Sequence, residues 1–215
     1  MSIKKNINSI LNKIPKHVSL LVVSKKKSNE YIMQAYNAGH RLFGESNTLE
    51  LKQKHTELPK DIKWHMVGHL QRNKVKHIAP FINLIHSVDS IRLLEEINKR
   101  ANENKRVINC LIQIHIAQEK SKYGFKIDNV EDVINECHNF KNINITGLMG
   151  MASLTNNKDQ INSEFLSLKK TFDIIKNDKI KVLSMGMSND YQIAINNDSN
   201  LIRIGSKIFN NEENN

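Results

Sequence analysis

The sequence predicts an α/β protein of the (β/α)8 TIM-barrel class, built as a single domain over residues 1–215. Three observations predict it. Short apolar or β-branched runs alternate with longer amphipathic stretches along the whole chain, the pattern of βα units that feed a parallel sheet. Eight such runs can be counted, each followed by a helix or helix-like stretch, and eight strands close this barrel. The turn after the first run, VSKKKS, has no glycine, whereas a doubly wound open sheet would normally show GxGxxG there.

The N-terminal stretch MSIKKNINSILNKIPKH alternates Lys and Asn with Ile and Leu and reads as an amphipathic first helix. Val18 to Val23 (VSLLVV) is apolar throughout, as a strand buried on both faces should be. Ser28 is placed to cap a helix running to Ala38, and Gly39 suits its end. Arg41 to Gly44 is the second strand, followed by a helix through His55; Lys63 to Val67 is the third, followed by a helix over Arg72 to Ala79. Leu84 to Val88 is the fourth strand, and Ser90 begins a long helix to Asn104. Val107 to Ile116, Ile143 to Met149, Lys181 to Met185 and Leu201 to Ile204 complete the strands. Helices over Asp128 to Phe140 and Lys158 to Lys176 lie between them, with a short helix opening at Ser188.

Composition narrows the function classes. Hydrophobic residues make up 39% and charged residues 25%, within reach of an ordinary globular protein. No apolar run approaches the roughly 20 residues that cross a bilayer, and the N-terminus has neither the apolar segment nor the cleavage site of a secretory signal. A cytoplasmic location without membrane attachment is expected. The two cysteines, Cys110 and Cys137, form no CxxC pair and no zinc spacing, so reduced thiols in a reducing compartment are expected. The net charge of +10 raises the prior for nucleic acid or for anionic small ligands. An abundance of Lys, Asn and Ile, as an AT-rich genome would produce, is the blander cause. No aromatic stripe accompanies the basic residues, and no nucleic-acid partner is expected.

Functional residues of this fold sit at the C-terminal ends of the strands. Lys25 follows the first strand by two residues; a lysine pointing into the barrel mouth would lose water, and a neutral amine can form a Schiff base with a carbonyl. A solvated loop of three lysines is the alternative. LSMGMSND (Leu183 to Asp190) ends the seventh strand, and RIGS (Arg203 to Ser206) ends the eighth. Paired small-residue turns after these two strands form the usual phosphate site of the fold, with N–H groups at a helix start facing an anion. Arg203 needs a partner, either a pyridine nitrogen or a neighbouring carboxylate. His65 and His69 lie four apart in WHMVGHLQRNK, but the stretch reads as a strand running into a turn at Gly68, and no metal site is expected from them. QRNKVKH reads as a solvated helix face.

These pieces together resemble the PLP homeostasis protein family, the alanine-racemase-like pyridoxal 5′-phosphate (PLP)-binding proteins. The matching segments are LVVSK, AGHRLFGE, WHMVGHLQRNK, HSVDS, SKYGF, GLMGMA, LSMGMSND and LIRIGSKIF, in the family's order and over nearly the whole chain. The resemblance implies a barrel like the N-terminal domain of alanine racemase, with PLP held as an internal aldimine on Lys25. It places the phosphate on Met187, Ser188, Gly205 and Ser206, and sets Arg203 against the pyridine nitrogen. The lysine of the family's SK-x-G motif falls on Lys122, a secondary lysine implicated in cofactor handling. Where the family reads FGEN this chain reads FGES, so Ser46 or Asn47 would have to replace the family's asparagine. Its closing IFG is IFN, with Asn210.

An arginine does not readily give a proton to the ring nitrogen, which leaves the cofactor a weak electron sink. Racemases of this type draw one of their acid–base residues from a second, β-rich domain, and this chain ends where the barrel ends, near Phe209. The resemblance therefore implies a non-catalytic carrier that buffers PLP, releases it to apo forms of PLP-dependent enzymes and contributes to vitamin B6 homeostasis. A slow PLP-dependent amino-acid racemase is the alternative. A monomer is expected.

Overall fold

The structure is a computed structural model, and it describes residues 2–119 and 122–209. Ser121 of SKYGF and Asn210 of the IFN segment lie outside the described residues. Eight parallel strands close into a barrel in chain order: β1 (Ser19–Val23), β2 (Leu42–Glu45), β3 (Lys63–Met66), β4 (Leu84–Val88), β5 (Ile108–Ile114), β6 (Ile143–Gly150), β7 (Val182–Ser184) and β8 (Leu201–Ile204). The barrel closes where β8 pairs with β1, in the register Leu21 to Arg203. The (β/α)8 class read from the alternating pattern is the fold found.

Helices α1 (Ile3–Leu11), α2 (Asn29–Asn37), α3 (Thr48–Glu57), α4 (Ile91–Glu103), α5 (Val130–Cys137), α6 (Lys158–Ile175), α7 (Tyr191–Asn196) and α8 (Ser206–Phe209) accompany the strands. In α1 the residues Ile3, Ile7 and Ile10 fall on one face and are buried. The Asn6 amide on that face donates to the Ile208 carbonyl at 2.8 Å and ties the first helix to the last.

A strand's side chains alternate between two faces, and both faces are covered here. Leu20, Val22, Phe43, Trp64, Ile85, Ile112 and Ile202 point outward into the layer between strands and helices. Leu21, Leu84, Leu111, Met149 and Leu201 point inward and fill the lower barrel. This double burial is why VSLLVV shows no polar alternation.

Several sequence-based boundaries are corrected. The helix expected over Arg72 to Ala79 is a 3-10 turn, Arg72–His77, in which only Val75 is buried and so anchors it. The fifth strand loses both ends: Val107 is exposed, and the His115 N–H turns away to the Phe125 carbonyl. The helix over Asp128 to Phe140 divides into a 3-10 turn, Ile127–Asn129, and α5. Ser28 and Ser90 stand at helix starts, but neither side chain caps. No helix among the described residues is long and apolar enough to cross a membrane. Cys110 and Cys137 are free and buried.

Candidate functional site

The inward-facing positions change character toward the C-terminal ends of the strands. Above the apolar floor lie His65 on β3, His86 on β4, Ser184 on β7 and Arg203 on β8, all buried. The Arg203 guanidinium donates to Ser184 Oγ at 2.6 Å and to the Gly150 carbonyl at 3.1 Å. Ser184 Oγ lies 3.1 Å from His86 Nδ1, and His86 Nε2 lies 3.0 Å from His65 Nδ1. Burial pushes both imidazoles down, His65 to about 3 and His86 well below its ordinary value, so both are neutral. The hydroxyl accepts from Arg203 and also meets His86, so the guanidinium, the hydroxyl and the two imidazoles form one bonded chain. Burial pushes Arg203 down to about 10, against the opposing charge of Asp190, and it remains a cation at neutral pH. The sequence reading offered Arg203 a carboxylate or a ligand nitrogen; its partners within the protein are a hydroxyl and a carbonyl.

The turns after β7 and β8 bring Met187, Ser188, Gly205 and Ser206 to the barrel mouth. Gly186 has φ +93, a conformation that L side chains rarely adopt, and a Cβ there would come 2.6 Å from the Ala194 methyl. The short helix does not open at Ser188 but at Tyr191, because the Asp190 carboxylate accepts the Met187 N–H at 2.5 Å and holds residues 187–190 as a turn. Burial raises the Asp190 carboxyl, while the Met187 amide and Arg203 pull it down. Gly205 packs against the end of β1, where a Cβ would meet the Val23 carbonyl at 3.0 Å. Ser206 begins α8 and is exposed, so its first N–H groups lack intrahelical acceptors.

Lys25 continues the inward parity of Leu21 and Val23 beyond the end of β1. Its side chain is exposed, which corrects the expectation that it loses water there. The Lys27 N–H closes a turn on the Ser24 carbonyl at 3.1 Å, and Lys26 takes φ 60 within that turn. Ser46 continues the inward parity of Leu42 and Gly44 and is half-buried. Asn47 is exposed, and its side-chain oxygen caps α3 by accepting the Leu49 and Glu50 N–H groups at 2.9 and 3.2 Å. Of the two, Ser46 is the one that faces the mouth. Lys122 donates to the Ala152 carbonyl at 2.6 Å and pairs with Glu119 at 3.0 Å, on the rim formed by the loops after β5 and β6. His65 and His69 separate: His65 lies inside the barrel, and His69 stacks on Tyr123 at the rim, 3.1 Å from Asp89.

Sequence reasoning missed Ser184 as the partner of Arg203 and His86 as the next member of that chain, and it missed Glu45, Glu50 and Lys54 behind the Lys25 loop. The inward parity of strands β4 and β7 was the available signal for the first pair. The i,i+4 spacing of Glu50 and Lys54 was the available signal for their pair, while nothing local signals its reach across to Glu45 and the Ser24 carbonyl.

A closed parallel barrel with a lysine, a buried arginine and two glycine turns at one mouth defines a class, and residues 1–212 match the model of that class, the alanine racemase N-terminal domain. The chain is 35% identical to the pyridoxal phosphate homeostasis protein of Helicobacter pylori over 96% of its own length and 97% of the relative's. It is 34% identical to the protein of that name from Schizosaccharomyces pombe, over 90% and 84%. The chain belongs to the pyridoxal phosphate homeostasis protein family. Among solved structures, PipY of Synechococcus elongatus with PLP bound superposes with a TM-score of 0.87 at 29% identity, covering 97% of this chain and all of that one. Alanine racemase of Clostridium difficile shares the fold at 14% identity and a TM-score of 0.76, and the chain covers 56% of its length.

Proposed function

We propose that this protein binds PLP at the barrel mouth and carries or buffers it without a catalytic cycle of its own. The observation that carries the reading is the convergence at one mouth of Lys25, Arg203 and the two glycine turns, in a chain of this family. The donor set fits the molecule. Bound there, PLP supplies an aldehyde that an amine captures reversibly. Lys25 would be the amine, Ser188, Gly205 and Ser206 would hold the phosphate through backbone N–H and hydroxyl groups, Met187 would join them only where its N–H leaves the Asp190 carboxylate, and Arg203 would face the ring nitrogen. Ser46 takes the place of the family's asparagine beside the ring, with Asn47 committed to its helix, and Lys122 on the rim assists loading or release. The net charge of +10 favours a phosphate monoester at any approach.

The carrier reading draws support from the state of the buried histidines. His65 and His86 are neutral, buried and bonded to each other and to Ser184, which does not suit the mobile acid or base that racemisation needs. The exposed mouth suits transfer to apo-enzymes, and two buried free thiols suit the cytoplasm. The test is the visible spectrum of the protein with PLP, followed by borohydride and peptide mapping, beside an assay for amino-acid racemisation. A single reduced adduct on Lys25, lost in Lys25→Ala, with no racemisation, is expected. No adduct, or adducts scattered over surface lysines, would remove cofactor binding at this mouth; turnover of an amino acid would replace the carrier with an enzyme.

A further inference from the structure

Three lysines stand in a row at the end of β1, and the sequence alone does not distinguish them: Lys25, Lys26 and Lys27. Behind this loop lies a cluster outside the barrel mouth. Lys54 on α3 is buried, and its ammonium spends all three protons. It donates to the Ser24 carbonyl at 2.8 Å, to Glu45 Oε1 at 2.8 Å and to Glu50 Oε1 at 2.6 Å. Glu50 Oε1 also accepts the Lys26 N–H at 2.7 Å, and Glu45 Oε1 accepts the Ser24 hydroxyl at 2.6 Å.

The geometry brackets a single residue. The Ser24 carbonyl belongs to the peptide group before the Lys25 Cα, and the Lys26 N–H belongs to the one after it. Both are held by charged partners, and those partners are joined to each other. Such charge-assisted bonds are about twice as strong as neutral ones. The turn they hold is also strained. Lys26 sits at φ 60 in the third position of the Ser24–Lys27 turn, where glycine is the usual occupant. A non-glycine residue in that region persists only where its surroundings over-determine it. Fixing both peptide groups fixes the Cα–Cβ direction of Lys25 along the inward parity of β1.

We propose that Lys54 and Glu50 are positioning residues that select Lys25, among three adjacent lysines, as the amine that captures the cofactor's aldehyde. This rests on the proposed function. In the capture, the neutral Lys25 amine attacks the aldehyde carbon; a C=N bond forms, and the carbonyl oxygen leaves as water with the two amine protons. Borohydride then delivers a hydride to that carbon, and a solvent proton completes the secondary amine.

The experiment compares the wild-type chain with Glu50→Ala, which removes the acceptor of the Lys26 amide at a partly exposed helix position. Glu50→Gln keeps an acceptor, and Lys54→Met removes the ammonium. Each protein is mixed with PLP, reduced and mapped, and amide exchange at Lys26 is followed in protein without PLP. Adduct confined to Lys25 in the wild type is expected to spread onto Lys26 and Lys27 in Glu50→Ala. Its formation should slow by roughly tenfold or more, as misplacing a reacting group does, and Glu50→Gln should restore most of the selectivity. Faster exchange of the Lys26 amide in Glu50→Ala is expected alongside. Adduct that stays on Lys25 at an unchanged rate in both Glu50→Ala and Lys54→Met overturns the assignment and leaves the proposed function standing. A wild-type chain that takes no adduct overturns both, and the exchange measurement then reports separately whether the clamp holds the turn.

Discussion

Ser184 Oγ lies 2.6 Å from the Arg203 guanidinium and 3.1 Å from His86 Nδ1, so one hydroxyl joins the buried cation of β8 to the buried imidazole of β4. Ser184→Ala would leave a guanidinium N–H and an imidazole nitrogen buried without this partner. Each such loss costs about 1–3 kcal/mol. For the two losses together a reduction of unfolding free energy of about 2–6 kcal/mol is expected in urea, with the fold retained by circular dichroism. A loss below about 0.5 kcal/mol, the usual range for surface substitutions, would mean that water replaces the hydroxyl and that the chain is not a unit.

The neutral histidines make stability depend on pH with a definite sign. An unfolded histidine titrates near 6.5, while folded His65 is held at about 3 by burial, with Lys63 adding to the effect. Between those values the unfolded chain binds the extra proton, so stability is fully present above about pH 6.5 and falls as the pH drops. The slope from each such histidine is about 1.4 kcal/mol per pH unit. His86 acts in the same direction, its imidazole held down by burial and by the neighbouring His65 and Arg203. At pH 5 the ring signals of His65 and His86 in the NMR spectrum should still be those of neutral imidazole, while the urea midpoint has already fallen. Titration of either ring near pH 6 would contradict the bonded chain.

The cysteines give a chemical check on the packing. Cys110 is fully buried on β5, and burial raises its thiol far above the ordinary range. Cys137 at the end of α5 is pushed up to about 12 by burial and by Glu136. The thiolate is the reactive form, so neither should be alkylated by iodoacetamide in the native protein at pH 8. Both should react once the chain is unfolded in guanidinium. Rapid labelling of Cys137 under native conditions would show that α5 opens locally from the barrel.

The fold was legible because double burial writes itself into sequence: VSLLVV and LIRI need no polar alternation when both faces are covered. The positions at strand ends were legible for the same reason, since parity carries from Leu21 to Lys25 and from Leu201 to Arg203 along each strand. What the chain does in its loops was less legible. Asp190 turns back onto the Met187 amide and delays a helix that Ser188 was expected to open. Lys26 enters a left-handed conformation that no local residue announces, because the groups that hold it, Glu50 and Lys54, come from α3. Long-range partners of this kind have no period and no spacing by which to be read.

Gly147 is where the barrel tolerates no side chain. The β5–β6 register slips between Cys110 and Leu111, so Thr146 is an extra residue on β6, and Gly147 follows it directly. Gly147 pairs with Val182 on β7, and a Cβ built there would lie 1.8 Å from the Val182 carbonyl oxygen. Neither strand can yield without separating, since the atoms met are all Val182 backbone. Gly147→Ala should therefore part β6 from β7 at the point where Met149 pairs with Ser184, and so disturb the hydroxyl that holds Arg203. The expected cost is about 3 kcal/mol or more, the upper range for overpacking a well-filled site. The urea midpoint should drop accordingly, and PLP should be held more weakly than by the wild type at matched folded fraction. A variant with a midpoint within error of the wild type would show that the β6–β7 contact is looser than this geometry.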